Sequence, residues 1–492
     1  MLLARRNYFS RTGLHGYWLL HSLQPCPELP GNMCLVSSCC FTVFLSGKQS
    51  SCTGLRYKDS AMNKLVYPAG WLFLFLLLAG NTAGQITERS LIINPQQVSR
   101  FYEQTGDSLF WFASGNRYME KRKELKDILD TSFYYGLIAR RYHGGELDQY
   151  METYESDTVM RRQQDHLFTD AAIALYKDLQ LGYAQSPWLG YDPVTEKLAQ
   201  AEYTDLLNAL SYARTAPQLE QLMTKLEPAD PPYRLLRQEL IRQVRMNHRD
   251  TVQRLLLSMN YYRRIHHFPF NQVIVVNLAA ARLSYYESGK QVLNMKIVAG
   301  KYSTPTPRFS AWCDQAILYP YWYVPRSIVF NEYLPLIKKN PGWLDAKNMQ
   351  VTDASGKVLN PYALNWASFH SGYFPYTIRQ STGCDNALGV IKFNINTPYG
   401  VYLHDTNNKS AFFSASRYYS HGCIRLEEPF KLGYHLLGHE LDTAFLQSCF
   451  KKQAPVYERI KTPVPVFVVY MPVEAGSTGK LIYYKDVYRL LK

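Results

Sequence analysis

Charge is scarce in this 492-residue chain: 19% of its residues are Asp, Glu, Lys or Arg, against 47% hydrophobic ones. Disordered chains are rich in charge and poor in aromatics, so 39 tyrosines and a mean hydropathy of −0.26 exclude that class. Long apolar runs are scarcer still. Spanning a bilayer takes ~20 apolar residues, and only the stretch around Trp71 to Ala79 approaches that, which excludes a polytopic membrane protein. There is no Gly-rich phosphate loop, no Cys-x-x-Cys pair and no repeat at a solenoid period. Single cores stop growing near ~250–300 residues, so the length calls for two or three domains.

Acidic residues are fewer than basic ones, 40 against 54, and the net charge of +14 points to an anionic partner. Composition alone leaves nucleic acid and an acidic cell-envelope polymer both open. Cysteine is unevenly spread: Cys26, Cys34, Cys39, Cys40 and Cys52 precede residue 61, and only Cys313, Cys384, Cys423 and Cys449 follow.

From Met62 the chain has the layout of a secretory signal peptide: Lys64, an apolar run from Trp71 to Ala79, and small residues up to Gly84. Cleavage is expected near Ala83 or Gly84, with an uncleaved inner-membrane anchor as the alternative. Residues 1–61 show no periodicity, and translation is expected to start at Met62, leaving 1–61 as a non-native leader or a disordered extension. Residues 1–84 carry seven basic and two acidic residues, so without them the net charge is +9. The expected compartment is an exported, oxidising one.

Residues 85–265 read as a helical domain. Leu125, Ile128, Leu129 and Phe133 recur at helical spacing before a stop at Gly136. Asp170 is placed to cap a helix through Ala172, Tyr176 and Leu179 that ends at Gly182. Asp230-Pro231 opens another, whose buried face is Tyr233, Leu236, Leu240 and Val244. Nothing polar converges on these stripes, so they read as core.

Residues 266–475 read as a mixed but mainly antiparallel β domain, making the chain α+β. Strands are expected at Val273–Leu278, Leu283–Glu287, Val292–Val298, Val390–Ile395, Val401–His404 and Val466–Tyr470. Residues 331–380 read as an insertion over one face, a helical stretch from Asn331 to Lys339 followed by a Pro/Gly/Ser-rich loop. Residues 476–492 are a C-terminal segment packed on this domain. His266-His267 reads as a polar boundary.

The chemistry concentrates in Tyr402-Leu403-His404-Asp405-Thr406 and Ser420-His421-Gly422-Cys423-Ile424-Arg425-Leu426. A thiol attacks only as thiolate, so it needs a base or a cation to overcome its ordinary pKa of ~8.5. Neighbouring strands can bring His404 to Cys423 across 19 residues. Gly422 permits an unusual turn that aims backbone N–H groups at an oxyanion, and the Arg425 guanidinium can raise the local potential or hold a carboxylate. Two other readings stand beside this one: Cys423 as a buried structural thiol, and His421, Cys423 and His404 as zinc ligands. The second lacks a fourth strong ligand and the usual paired spacing, so no metal is assigned.

The run from Ser420 to Arg425, preceded by His404, resembles the signature of L,D-transpeptidase catalytic domains of the YkuD type. Thr304-Pro305-Thr306-Pro307, the run from Pro320 to Ile328, Asn386-Ala387-Leu388-Gly389 and the run from Gly400 to Asp405 resemble the larger, periplasmic murein subfamily. So do Phe101-Tyr102 to Trp111 and Asp170 to Gly182, which look like its scaffold domain. The resemblance implies Cys423 as nucleophile, His404 as base, and the carbonyl or side chain of Asp405 orienting that base. It also implies His421 supporting the loop, the N–H groups of Gly422 and Cys423 as oxyanion hole, and the periplasm as compartment. Arg425, Tyr402, Tyr321, Trp322 and Ser420 are the substrate-binding candidates.

The implied reaction is acyl transfer through a thioester, from the third residue of a peptidoglycan tetrapeptide to an amine of a neighbouring stem. Water or a protein amine as acceptor, and an inactive peptidoglycan-binding protein, are the alternatives. Carbapenems are expected inhibitors, no cofactor is implied, and the basic charge no longer requires nucleic acid. Oligomeric state is left open. The peptidoglycan-binding module carried by many larger relatives is missing between the Tyr233 helix and Arg254. If Cys423 stays free, Cys313, Cys384 and Cys449 can form one bridge at most, and its pairing is open.

Overall fold

The computed structural model describes residues 92–151, 156–182, 189–450 and 453–491. The leader, the signal segment and the cysteines before Cys313 lie outside the described residues. Among those described, no helix is long and apolar enough to cross a membrane.

Helices come first: α1 (Pro95–Gln104), α2 (Asn116–Asp130), α3 (Thr158–Leu181), α4 (Pro193–Tyr212), α5 (Ala216–Leu226), α6 (Pro231–Arg245) and α7 (Arg249–His266). Prolines open α1, α4 and α6, where a fixed φ and a missing N–H cost nothing. Thr215 and Gln218 form a capping box at the start of α5. On α6, Tyr233, Leu236 and Leu240 are buried and Val244 is partly buried against the same core.

Two expectations about the helices need correction. Asp170 is not an N-cap, because α3 begins earlier, where the Asp157 carboxylate accepts the Val159 N–H at 2.7 Å. Asp170 lies mid-helix and fully buried, and its carboxylate accepts the N–H groups of Ile93 and Asn94 at 2.7 and 2.8 Å and meets His143 Nε2 at 2.7 Å. It therefore anchors the entry to α1. The stop at Gly182 is where the sequence places it. Phe133 is 40% exposed, because α2 ends at Asp130 and a 3₁₀ turn over Ser132–Tyr135 rotates its ring out of the stripe.

Asp165, also buried on α3, accepts the backbone N–H groups of Phe110, Trp111 and Phe112 at 2.9, 2.7 and 2.8 Å and the Tyr102 hydroxyl. The neighbouring ammonium of Lys121 donates to the Phe110 carbonyl and sits 3.4 Å from the centre of its ring. Burial pulls the Lys121 pKa down to about 7, with the Asp165 charge opposing. One carboxylate thus folds the loop between α1 and α2 into the core formed by α1 to α5.

The main sheet contains β1 (Gln272–Asn277), β2 (Arg282–Glu287), β3 (Lys290–Gly300), β4 (Phe309–Leu318), β5 (Ile391–Ile395), β6 (Leu403–His404), β7 (Tyr418–Ser420), β8 (Ile424–Leu426) and β9 (Val456–Val469). Their order is β7-β3-β8-β6-β5-β4-β9-β1-β2, and β2 returns to pair with β3. β1 with β9, β6 with β8 and β7 with β3 run parallel; the remaining pairs are antiparallel. β4 and the first half of β9 were hidden in the sequence by Asp314, Gln315, Pro463 and Pro465. The β9 register shifts between Arg459 and Val464, an irregularity that accommodates Pro463 without ending the strand. The buried faces of α6 and α7 belong to the same core as Ile274, Val276 and Phe467, so these helices are built onto the sheet.

The expected loop of the insertion carries a sheet of its own. Trp322–Tyr323, Thr377–Gln380, Met349–Thr352 and Val358–Leu359 pair in that order. They close over Ile337, Leu344, Val351 and Ile378. The expected helix starts earlier, at Arg326, and passes through a π turn at Val329–Tyr333 before Leu334–Lys339. Near the C-terminus, the Tyr488 hydroxyl donates to the Gly300 carbonyl at 2.7 Å. Cys384 and Cys449 form the disulfide, while Cys313 is buried in β4 and Cys423 is free.

Candidate active site

Strand parity assembles this site. Leu403 and His404 of β6 pair with Ile424 and Arg425 of β8 on one side and with Phe393 and Lys392 of β5 on the other. Paired residues share a face and successive residues alternate. Phe393, Leu403 and Ile424 accordingly point into the core, each 0% exposed. Lys392, His404 and Arg425, with Tyr402 and Cys423 one step before the paired positions, belong to the opposite face.

Cys423 follows a tight loop after β7. Gly422 has φ 120°, a region open to glycine and strained for other residues. The Ser420 hydroxyl donates to the Cys423 carbonyl at 2.6 Å and accepts the Gly422 N–H at 3.1 Å. From below, the Thr306 hydroxyl donates to the Gly422 carbonyl at 2.8 Å and accepts the Gly300 N–H at 2.9 Å. Ser420 is buried and its hydroxyl bonds within the loop that carries Cys423. The Gly422 N–H is bonded to that hydroxyl, which sets it apart from the Cys423 N–H, the other expected oxyanion donor.

His404 is 4% exposed, and its Nδ1 bonds to the backbone carbonyl of Asp405. A carbonyl can only accept, so Nδ1 carries the proton and Nε2 is the acceptor. The carbonyl of Asp405 therefore orients the base. Its carboxylate is occupied elsewhere, accepting the Val390 N–H at 3.1 Å and pairing with Lys409. Gly389 packs so tightly on that carboxylate that a Cβ there would lie 2.2 Å from an oxygen.

Burial, then the Arg425 charge, pulls the His404 pKa down to about 3, and Lys392 acts in the same direction. Burial pushes the Cys423 thiol up, against hydrogen bonds from the Tyr402 backbone and side chain and the charges of Lys392 and Arg425. At rest this face thus carries a neutral thiol and a neutral imidazole. Alkylation of Cys423 by iodoacetamide is expected to rise with pH through a midpoint above the ordinary ~8.5. A midpoint below pH 7 would instead mark a preformed thiolate–imidazolium pair. Cys313, pushed up to about 12 by burial, is the internal unreactive control.

Tyr402 interacts with both Cys423 and Trp322. Burial, then the Cys423 charge, pushes its hydroxyl pKa up while Trp322 opposes; its ring meets His404 edge-on at 5.6 Å, and the Lys392 ammonium lies 4.1 Å from its ring centre. Trp322 packs edge-on against Tyr333 within the insertion, at 6.2 Å. Tyr321 lies under the Arg379 guanidinium at 4.0 Å, one residue removed from the contact with Tyr402. His421 meets the insertion: its Nε2 is 2.8 Å from Glu332 Oε1 on the π turn. Arg425 is half-buried, with a buried Nε that has no hydrogen-bond partner among the described residues.

Lys392, Thr306 and Glu332 went unnoticed as site residues. Lys392 alternates with Ile391 and Phe393, a pattern that reads as an ordinary solvent face until the register puts it opposite His404. Among the described residues, no group of three or more His, Cys, Asp or Glu side chains is arranged to hold a metal ion.

Comparison with known proteins gives two family matches. Residues 271–436 match the L,D-transpeptidase catalytic domain named YkuD, and residues 96–240 match a scaffold domain. A Haemophilus influenzae protein named "Putative L,D-transpeptidase" is 31% identical over 238 residues, which are 47% of this chain and 47% of that protein. The chain thus spans about half the length of that curated relative. An L,D-transpeptidase from Mycobacterium smegmatis is 16% identical, with 40% of this chain and 58% of that one covered and a TM-score of 0.20. L,D-transpeptidase 3 from Mycobacterium tuberculosis, solved with a faropenem-derived adduct, is 13% identical, with 40% and 60% covered and a TM-score of 0.20. The chain thus carries a region that matches the YkuD L,D-transpeptidase catalytic domain behind a region that matches a scaffold domain.

Proposed function

We propose that this protein cross-links peptidoglycan by cysteine acyl transfer. The observation that carries the reading is that Cys423 and His404 stand on one face of the paired strands β8 and β6, with Nδ1 committed to the Asp405 carbonyl and Nε2 left as base. Cys423 Sγ attacks the carbonyl of the third stem residue as its proton passes to His404 Nε2. The Cys423 N–H holds the oxyanion, and Lys392 and Arg425 offset the charge that develops. Collapse breaks the bond to D-Ala, whose amine takes the proton from His404. An amine of a second stem then attacks the thioester, His404 accepts its proton, and the sulfur leaves to be reprotonated.

Water as acceptor would give a carboxypeptidase. The contacts of Trp322 with Tyr402 and of Glu332 with His421 support the insertion as the element that shields the thioester. The Cys384–Cys449 disulfide supports an exported, oxidising location such as the periplasm. A basic surface suits an anionic wall polymer.

Intact-protein mass spectrometry with tetrapeptide muropeptides tests the reaction. The expected result is a Cys423 adduct lacking D-Ala, together with a cross-linked dimer. A tripeptide as sole product would assign the carboxypeptidase, and neither adduct nor product would remove both readings. A carbapenem is expected to acylate Cys423 by opening of its β-lactam ring.

Lys392→Met is expected to raise the alkylation midpoint of Cys423 and slow acylation about tenfold, the effect of ~1.4 kcal/mol. Lys392→Arg should restore most of both. An unchanged pH profile in Lys392→Met would remove the charge role.

A further inference from the structure

A second cleft, of about 970 Å³, opens between the start of α6, the end of α7, strands β1 to β3 and the hairpin Val473–Ala475/Leu481–Tyr483. That volume lies at the upper end of small-molecule sites, ~300–1,000 Å³. One wall is aromatic: His266 stacks on Tyr262 at 4.1 Å and meets Tyr286 edge-on at 6.0 Å. The lip is polar, with Gln291, Asn294 and the Asp230 carboxylate exposed and Ser284 accepting the Asn294 side-chain N–H at 3.0 Å.

Formal charge at the cleft is of both signs, Asp230 against Arg282, whose guanidinium is engaged by the Asn294 side-chain oxygen. Burial pulls His266 down to about 4, so its ring is uncharged at neutral pH. Glu474 is pushed up by burial and held by Tyr484 and Asn277. Flat rings beside amides, a hydroxyl and a carboxyl complement a ligand with an apolar C–H face and a rim of hydroxyl and acetamido groups.

β3 lines the cleft at Gln291 and Asn294 and runs on to Val298, the partner of Arg425. At ~3.3 Å per residue, these separations are roughly 23 and 13 Å. A stem tetrapeptide seated at Cys423 spans at most ~14 Å, so the far half of the cleft lies beyond its reach and is open to another part of the polymer.

We propose that this cleft binds an uncharged amino-sugar oligosaccharide, a segment of the glycan strand whose stems reach Cys423. The proposal rests on the peptidoglycan reading above. The grip on sugar is independent of chemistry at the thiol and retains the polymer between acyl transfers.

The test uses the full chain carrying Cys423→Ala and, as probe, the stem-free N-acetylglucosamine tetramer, followed by calorimetry. Saturable binding with a Kd of about 0.1–1 mM is expected. The paired exposed substitutions Gln291→Ala and Asn294→Ala, which leave the core untouched, should weaken it at least about tenfold, as should Tyr286→Leu. No saturation by about 10 mM, or equal affinity in the paired variant, overturns the proposal. Adduct formation by the wild-type protein with tetrapeptide muropeptides is measured in parallel. An adduct without sugar binding removes the cleft alone, whereas sugar binding without an adduct removes the reaction reading.

Discussion

His404→Gln is expected to slow acylation of Cys423 by roughly 10²–10⁴-fold at neutral pH, the range for loss of a positioned general base. The thiol is pushed up by burial, so at pH 7 it is protonated and something must remove its proton as the bond to carbon forms. Nε2 of His404 is the acceptor left for that task once Nδ1 is bound to the Asp405 carbonyl. Glutamine retains a polar buried side chain but no basic nitrogen. The rate is followed by mass spectrometry with a carbapenem or a tetrapeptide muropeptide. Alkylation near pH 10 separates chemistry from folding, because there the thiol ionises unaided: it should stay within about threefold of wild type. A neutral-pH rate within tenfold of wild type, or equal losses at both pH values, would remove His404 as base.

The same histidine makes a pH prediction whose sign is fixed. Its folded pKa of about 3 lies below the ordinary ~6.5, so folding favours the neutral ring. The stability this contributes is complete above pH 6.5 and is lost as pH falls from 6.5 towards 3. Acid unfolding of His404→Gln should therefore be shallower over that window than that of the wild type.

Asp165→Ala is expected to cost about 3–5 kcal/mol of stability, the range for removing one partner of a buried ionic cluster. The carboxylate accepts three backbone N–H groups and the Tyr102 hydroxyl, and the alanine leaves all four donors buried. It also strips Lys121 of the negative charge that offsets its burial. Urea unfolding of the variant should show a lower midpoint, and Asp165→Asn should fall between the two, since one amide oxygen keeps part of the set. A loss under about 1 kcal/mol would mean that water replaces the carboxylate.

How much of this was legible in the sequence depends on the distance over which each signal acts. Cys423, Gly422 and His404 stood out because thiol, turn and imidazole sit in two short runs. Ser420 sits in the same run, but its bonds to Cys423 and Gly422 were not legible, since where its hydroxyl turns is decided by the turn that Gly422 makes. Lys392 was invisible because nothing local marks it; the β5–β6 register creates its role. Asp170 was mistaken for a cap because a carboxylate beside an apolar stripe reads locally, whereas its donors come from Ile93 and Asn94 far along the chain. β9 was cut short by Pro463 and Pro465, which a shifted register tolerates. The Cys384–Cys449 pairing needed coordinates, for any two of three cysteines satisfied the arithmetic.

The alternation of β5, β6 and β8 has a consequence for mutation. In Lys392-Phe393, Leu403-His404 and Ile424-Arg425, one residue of each pair fills the interior and its neighbour supplies the chemistry. A deletion within any of these pairs would exchange the two sets, placing a charged or titratable group in the core and an aliphatic one at the thiol. Folding and catalysis would fail in one event, so surviving variants of this protein should change length between these strands and conserve odd–even order within them.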